Sequence, residues 1–183
     1  MSLKAYQLAG PNPCPMTIAE VDALAEIAKK LPPWPVIINI GADVGCSTLT
    51  LLETCPDATI FSIDVRPCEA EKRNISLAGL PESQVIRILG KSESTGFLWE
   101  NVCKVNLVFV DGDHSKEGVL ADIRAWWDHI KKGGYLVFHD YIPEPIPPEI
   151  LGRVVYAVDD NPILEQNFKE VLWVERLKAF QKK

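Results

Sequence analysis

Short runs of apolar residues alternate with amphipathic segments from residue 36 onward. Each run is hydrophobic at nearly every position, which is typical of strands that are buried on both faces of a sheet. The segments between the runs are long enough to form crossover helices, so the pattern predicts parallel strands with helices on both faces. The predicted strands are VIINIG (36–41), TIFSID (59–64), VIRIL (85–89), VNLVFVD (105–111) and YLVFHD (135–140).

Helical periodicity is clearest before the first strand and after the fourth. Residues 17–31 carry apolar side chains at helical spacing, and Thr17 with Glu20 matches a capping box at the start of this helix. Residues 116–134 form a second helical pattern with one apolar stripe. The two glycines at its end predict where that helix stops.

The C-terminal part predicts one more helix and the edge of the sheet. A helix is expected around residues 149–160, and the β-rich tail 168–183 is expected to add one or two edge strands, including an antiparallel one. The proline-rich stretch 142–150 follows the fifth strand, where a lid over a site would lie. We therefore expect a single α/β domain with a doubly wound, mostly parallel sheet, a helical extension at residues 1–35 and a β-rich C-terminal edge.

Composition narrows the classes of partner. The formal charge of −6 and the isoelectric point near 5.1 leave no broad basic surface, so neither nucleic acid nor an anionic membrane is an expected partner. No apolar run approaches the roughly 20 residues that span a bilayer, and the N-terminus lacks the pattern of a signal peptide, so a cytoplasmic location is expected. The five cysteines have no metal-type spacing and are expected to be free buried thiols. The N-terminal helix and the tail are candidate surfaces for a homo-oligomer.

The residues after the first two predicted strands suggest a nucleoside cofactor. Gly41 and Gly45 flank a turn that leads into a helix, which lets a ligand approach the backbone. Asp64 ends the second strand about 20 residues later, where an acid commonly holds ribose hydroxyls. Asp43 occupies the position of the middle glycine of a dinucleotide motif, and its carboxylate would repel a pyrophosphate but tolerates a cationic sulfonium. The sequence therefore favours S-adenosylmethionine over NAD.

The blocks VIINIGADVGCSTLTLLE, IFSIDVRP, ILGKSES and VFVDGDHSKEGVLADIRAWWDHIKKGGYLVFHDY resemble the successive motifs of class I S-adenosylmethionine-dependent methyltransferases. The resemblance runs from about residue 36 to 141, and its last block is similar to small sugar and macrolide O-methyltransferases. Asn39 departs from the family pattern, because the family usually has an acid there and an amide gives no charge attraction to the cofactor ammonium. The resemblance implies that the cofactor contacts Asn39, Gly41, Ala42, Asp43, Gly45, Asp64, Val65, Lys91, Ser92 and Asp111.

Acids and a histidine also follow the fourth and fifth predicted strands. One helix joins these strands, so the right-handed crossover rule places them side by side, about 4.8 Å apart, and Asp111 is expected near His139 and Asp140. Carboxylates at a buried rim repel one another unless a cation or hydrogen bonds compensate, and Mg²⁺ or Mn²⁺ is one solution. The resemblance to metal-dependent O-methyltransferases implies these three residues as metal ligands. His139 departs from their usual oxygen ligands, so it either favours manganese, iron or zinc or does not bind metal.

The preferred hypothesis is an O-methyltransferase for a small hydroxylated molecule, assisted by a divalent metal. Asp113 and His114 are the candidates for the catalytic base: an imidazole has the better ordinary pKa, whereas the resemblance favours the second acid of the Asp-x-Asp pair. Three alternatives stay open. They are a metal-independent methyltransferase with His114 or His139 as base, a cofactor-binding subunit without turnover, and an NAD-dependent oxidoreductase, which Asp43 disfavours.

Overall fold

A computed structural model describes residue 7, residues 14–143 and residues 153–183. The strands in these ranges are β1 (Val36–Ile40), β2 (Thr59–Asp64), β3 (Val85–Leu89), β4 (Val105–Val110), β5 (Ile130–Phe138), β6 (Phe168–Val174) and β7 (Leu177–Lys182). These seven strands form one sheet in the order β3-β2-β1-β4-β5-β7-β6, in which β1 to β5 are parallel and β7 is antiparallel to both of its neighbours, β5 and β6. The predicted doubly wound fold class with a β-rich edge is confirmed.

Helices cover both faces of this sheet. Consecutive residues of one strand belong to opposite hydrophobic clusters, as Leu107 and Val108 of β4 do, and both of these residues are fully buried. This alternation explains why the strands read as continuous apolar runs. The helices are α1 (Ile18–Ala28), α2 (Cys46–Thr54), α3 (Glu69–Ala78), α4 (Ser92–Phe97), α5 (Lys116–Trp126), α6 (Arg153–Val158) and α7 (Pro162–Asn167), with 3₁₀ turns at Glu82–Gln84 and Trp127–His129.

The predicted capping box at the start of α1 is confirmed. The Thr17 backbone N–H donates to Glu20 Oε2 at 2.8 Å, and the Glu20 backbone N–H donates to the Thr17 hydroxyl at 3.2 Å. Each side chain thus satisfies a backbone donor that the first helical turn leaves open. Glu20 is fully buried, which the capping role alone does not require.

The prediction of one helix over residues 116–134 is wrong in its C-terminal part. Helix α5 ends at Trp126, and β5 already begins at Ile130, which is buried and pairs with Val105. The register of β4 and β5 shifts between their first two pairs, and a Cβ on Gly134 would lie 2.8 Å from the Asn106 carbonyl oxygen. The two glycines therefore lie in a strand irregularity, with close backbone approach at Gly134 only, and are not a helix stop.

Two expectations fall partly outside the described residues. The lid predicted at 142–150 lies mostly within residues 144–152, and the helix expected around 149–160 is observed as α6 over Arg153–Val158. Within the described ranges, no helix combines the length and the apolar character needed to cross a bilayer.

The expectation that all cysteines are free thiols is wrong for one pair. Cys14 and Cys46 form a disulfide with their Cα atoms 5.7 Å apart, whereas Cys55, Cys68 and Cys103 are free. The two partners are 32 residues apart in sequence, and only the packing of the segment before α1 against the start of α2 brings them together. The bond links that segment to the first residue of the helix after the glycine turn.

Candidate active site

The turn after β1 depends on two glycines. Gly41 and Gly45 have φ angles of +83° and +87°, which residues with a Cβ atom rarely adopt. A Cβ on Gly41 would collide with the backbone carbonyl of Asp111, and one on Gly45 would lie 2.9 Å from Glu71 Cγ. The turn thus lies directly against the end of β4 on one side and against α3 on the other.

Asp64 at the end of β2 holds this turn from the neighbouring strand. Its Oδ2 accepts hydrogen bonds from the backbone N–H groups of Ala42 at 3.1 Å and Asp43 at 3.4 Å. Its Oδ1 accepts from the backbone N–H of Arg66 at 2.9 Å. Asp64 therefore shapes the predicted cofactor turn and also reaches the cavity beside it.

A buried polar network supports the turn from below. Glu71 is fully buried, and it accepts hydrogen bonds from the hydroxyls of Thr48 at 2.5 Å and Ser62 at 2.7 Å and from Arg87 Nε at 2.8 Å. Asn39 Nδ2 donates to the Thr48 hydroxyl at 3.0 Å. Among the described residues, Asn39 Oδ1 is buried and has no hydrogen-bond partner. This oxygen is the acceptor that the network leaves open beneath the turn.

The wall of the cavity on the α4 and α5 side contains the other predicted cofactor contacts. Lys91 is exposed at the start of α4, whereas Ser92 is buried and its hydroxyl accepts from Trp126 Nε1 at 2.8 Å. Asp122 lines the same wall and is also buried. Burial, helped by the charges of nearby acids and opposed by a hydrogen bond from Ser92, raises the pKa of Asp122 to about 7. Val65 lines the cavity and is largely exposed.

The strand ends of β4 and β5 bring Asp111, His139 and Asp140 together as predicted. His139 is almost fully buried, and its Nδ1 lies 3.1 Å from Asp111 Oδ1 and 3.6 Å from Asp140 Oδ1. Its Nε2 lies 3.2 Å from Glu20 Oε2. Burial disfavours the charged imidazolium, but the carboxylates of Asp111 and Glu20 outweigh burial and raise the pKa of His139 to about 10.

His114 joins this group from the loop before α5. Its Nδ1 lies 3.2 Å from Asp140 Oδ2. Its Nε2 lies 3.3 Å from Asp111 Oδ1, but the geometry does not make this contact a hydrogen bond. The Asp111 carboxylate raises the pKa of His114 against the effect of burial. Asp140 has a φ angle of +52°, a conformation that turns the chain sharply at the end of β5.

Asp113 lies on the same loop but faces a different partner. Its Oδ1 accepts a hydrogen bond from the Ser115 backbone N–H at 2.9 Å, and Ser115 is the N-cap residue of α5. The hydrogen bonds from Ser115 lower the pKa of Asp113. Asp113 is thus held as a carboxylate at the start of the helix.

Two site residues were missed in the sequence. Arg176, in the turn between β6 and β7, donates from Nη1 to Asp140 Oδ1 at 2.8 Å and from Nε to Glu20 Oε1 at 3.2 Å. Burial opposes ionisation of Glu20, but hydrogen bonds from His139, Thr17 and Arg176 outweigh it and lower the pKa of Glu20 to about 2. The capping box identified Glu20 for a local reason only, and Arg176 carries no motif that would have marked it.

One cavity of about 740 Å³ joins the turn and the acid-histidine group. Its volume is in the range of pockets that bind small molecules. Its walls come from the carboxyl ends of parallel strands, which is where open α/β sheets bind ligands. The walls include Gly41, Asp43, Asp64, Val65, Lys91, Ser92, Asp111, Asp113, His114, Asp122, His139, Asp140 and Arg176.

With this geometry the chain matches a known family. A family model described as a methyltransferase domain matches residues 38–141, which is more than half of the chain. The chain therefore belongs to this methyltransferase family, and the predicted family is confirmed. The matched region includes the glycine turn, Asp64 and the acid-histidine group up to Asp140.

The following two methyltransferases are among the solved structures that share this fold. The O-methyltransferase TomG of Streptomyces achromogenes, involved in tomaymycin synthesis and solved with SAM, has a TM-score of 0.72 at 15% identity, over 99% of this chain and 89% of that one. The MycE methyltransferase of the mycinamycin pathway, solved with Mg, SAH and mycinamycin VI, has a TM-score of 0.70 at 13% identity, over 98% of this chain and 53% of that one. A curated relative, the uncharacterized protein R132 of Acanthamoeba polyphaga mimivirus, is 34% identical over 56 residues, which span 31% of this chain and 25% of that protein.

Proposed function

We propose that this protein is an S-adenosylmethionine-dependent O-methyltransferase that acts on a hydroxyl group of a small molecule. The observation that carries the proposal is the cavity of about 740 Å³ that the glycine turn shares with the acid-histidine group. The proposed cofactor site and the candidate bases line the same space, so an acceptor bound there would be close to both. The complexes of TomG with SAM and of MycE with SAH support the choice of cofactor.

The residues around the turn fit S-adenosylmethionine. Asp64 offers carboxylate oxygens for ribose hydroxyls. Asn39 is fully buried beneath the turn and is not among the residues that line the cavity, so its unpaired Oδ1 would act on an ammonium group only from below the turn. Asp43 adds negative charge to the cavity, which suits a cation and disfavours a pyrophosphate. When bound, the cofactor supplies a methyl group on a positively charged sulfur.

We assign the role of base to His114 rather than Asp113. Asp140 Oδ2 lies 3.2 Å from His114 Nδ1, so it holds a proton on that nitrogen and leaves Nε2, which is buried and has no hydrogen-bond partner among the described residues, as the nitrogen that can take up a proton. The charged imidazolium would then lie between the carboxylates of Asp111 and Asp140. Asp113 is the weaker base because its hydrogen bonds from Ser115 lower its pKa.

The sequence also predicts a divalent metal held by Asp111, His139 and Asp140. One ligand atom from each residue lies within 4.8 Å of the others, so the spacing suits a single ion. The charges do not suit it: both nitrogens of His139 face carboxylate oxygens within 3.2 Å, which calls for a proton on each and leaves no lone pair for a metal. The protonated His139 thus does not fit a divalent ion, and metal dependence stays a prediction.

Calorimetry and a methyl-transfer screen test the proposal. We expect S-adenosylmethionine and S-adenosylhomocysteine to bind, NAD not to bind, and a panel of sugars, polyols and phenols to contain a methyl acceptor. Tight binding of NAD without any response to S-adenosylmethionine would overturn the assignment. Cofactor binding without transfer to any compound would favour the non-catalytic subunit.

Treatment with a chelator distinguishes a metal-dependent methyltransferase from a metal-independent one. Methyl transfer that survives thorough metal removal supports the metal-independent enzyme, whereas loss of activity that Mn²⁺ or Mg²⁺ restores supports the metal-dependent one.

His114→Asn is the variant that tests the proposed base. It should lower turnover steeply at saturating cofactor, while the affinity for S-adenosylmethionine changes little.

A further inference from the structure

The carboxylates at the ends of β4 and β5 face side-chain nitrogens of the protein itself. Asp140 has one oxygen 2.8 Å from Arg176 Nη1 and the other 3.2 Å from His114 Nδ1. Both oxygens of this predicted metal ligand are therefore already in contact with side-chain nitrogens. Any ion at Asp140 would have to displace them or share the carboxylate with a guanidinium.

Arg176 is fixed in place although its side chain is 35% exposed. Its backbone N–H donates to Glu20 Oε1 at 3.0 Å, its Nε donates to the same oxygen at 3.2 Å, and its Nη2 donates to the Pro15 carbonyl at 2.8 Å. Glu20 itself is fully buried, so its charge depends on these partners. The arginine is thus held by buried and backbone groups and is not a freely moving surface side chain.

We propose that Arg176, anchored by Glu20, is a positioning residue that supplies the positive charge at Asp140 which a divalent ion would otherwise supply. The guanidinium is permanently charged and planar, so it neutralises Asp140 and Glu20 together from one fixed position. A role of Arg176 in turnover rests on the proposed function. The charge relation between Arg176 and a metal ion does not, since it concerns binding alone.

Titration with Mn²⁺, followed by electron paramagnetic resonance, tests this inference without any methyl acceptor. We expect the wild-type protein to bind Mn²⁺ weakly. Arg176→Met removes the charge but keeps the apolar stem, and it should raise the affinity for Mn²⁺ at least tenfold because Asp140 loses its cation. Arg176→Lys keeps the charge and should stay within about threefold of the wild type.

Arg73→Met is the matched control, because Arg73 is exposed on α3 and its loss should not change Mn²⁺ binding. Should Arg176→Met fail to fold, Arg176→Gln repeats the test with a neutral side chain that still donates to Glu20. Wild-type protein that binds Mn²⁺ as tightly as the neutral variants do would overturn the inference. Calorimetry with S-adenosylmethionine on the same samples shows whether the proposed cofactor site exists, so the two proposals fail separately.

Discussion

Two buried glutamates support the two halves of the cavity, and they differ in where their partners come from. Glu71 lies under the glycine turn and is held by Arg87, whereas Glu20 lies under the acid-histidine group and is held by Arg176. The partners of Glu71 lie within 23 residues of it along the chain. Those of Glu20 lie up to 156 residues away. The first network is built by successive βα units, and the second requires both ends of the chain to pack together.

The two networks also differ in what they connect to. The donors to Glu71 are two hydroxyls and a guanidinium, and they keep a fully buried charge satisfied beneath the turn. Glu20 instead contacts His139, whose other nitrogen contacts Asp111 at the cavity. The first network holds a backbone turn in shape. The second carries a charged chain of contacts from the interior to the place where an acceptor would bind.

The largest effect is expected where the two halves touch, at Gly41. Gly41→Ala forces a Cβ atom into the carbonyl of Asp111 at a positive φ, so both the turn and the end of β4 must shift. Strain and overpacking together should cost roughly 2–4 kcal/mol of unfolding free energy. Because the displaced turn no longer presents the same backbone to a ligand, we expect affinity for S-adenosylmethionine to fall more than about a hundredfold, which corresponds to about 2.8 kcal/mol of binding free energy.

Gly79→Ala is the control for the backbone strain alone. Gly79 also has a positive φ, of +66°, but a Cβ there would meet no atom within 4 Å. Gly79→Ala should lower the free energy of unfolding by about 1–2 kcal/mol and leave the affinity for S-adenosylmethionine unchanged. Urea denaturation and calorimetry on both variants decide the matter, and equal losses would show that the contact with Asp111 is unimportant.

Asp122 is a third buried acid. Burial and the charges of neighbouring acids disfavour its ionised form. Its pKa is raised from 3.8 to about 7, so the folded protein binds this proton more tightly than the unfolded chain does. Stability therefore falls as the pH rises from about 4 to 7, and the loss is complete above pH 7. At about 1.4 kcal/mol for each pKa unit, the loss reaches on the order of 4 kcal/mol at most.

Asp122→Asn should remove this loss. The variant should be more stable than the wild type at pH 8, and the difference should shrink towards zero at pH 4. Denaturant unfolding across this pH range measures it. A variant that is less stable than the wild type at pH 8 would mean that the carboxylate is compensated there after all.

A pair of variants separates the two halves by function. Asp64→Ala removes charge-assisted hydrogen bonds worth about 1.5–3 kcal/mol each and should weaken S-adenosylmethionine binding tenfold or more. Asp111→Asn should leave that affinity within a few-fold, but it should lower turnover steeply because Asp111 faces His114 and His139. Titration and single-turnover measurements distinguish these outcomes. Loss of cofactor binding in Asp111→Asn, or unchanged transfer, would make the acid a structural strand end.

Sequence patterns were sufficient for the part of the molecule that is local in the chain. The five parallel strands, the glycine turn, the pairing of β4 with β5 and the meeting of Asp111 with His139 were all predicted from sequence patterns and the crossover rule. Glu20 and Arg176 could not be found in this way, since their relation depends on how α1 and the β6–β7 turn pack. A divalent ion was predicted for the same reason. Because sequence patterns did not identify Arg176 as a partner of Asp140, the carboxylates lacked a known counter-charge.

The disulfide and the start of β5 were missed for a related reason. Cys14 and Cys46 have no informative spacing, because their contact is made by tertiary packing. The apolar stripe of α5 continues smoothly into Ile130, so periodicity alone does not mark the change from helix to strand. Pairing of Ile130 with Val105 overrides the helical pattern. Roles assigned to Asp113 and His114 stay predictions, because geometry places both near the cavity without showing a reaction.

The smallest effect is expected from introducing an acid at Asn39. Its unpaired Oδ1 lies in the network of Glu71, so Asn39→Asp would add an attraction for the cofactor ammonium but also a second buried carboxylate beside Glu71. These effects oppose each other, and we expect a gain in S-adenosylmethionine affinity of only about three- to tenfold, or roughly 1 kcal/mol. The apo protein should lose stability. Methylthioadenosine, which lacks the amino-acid part, is the control ligand and should bind both proteins equally; an equal gain for this ligand would show that Asn39 does not face the ammonium.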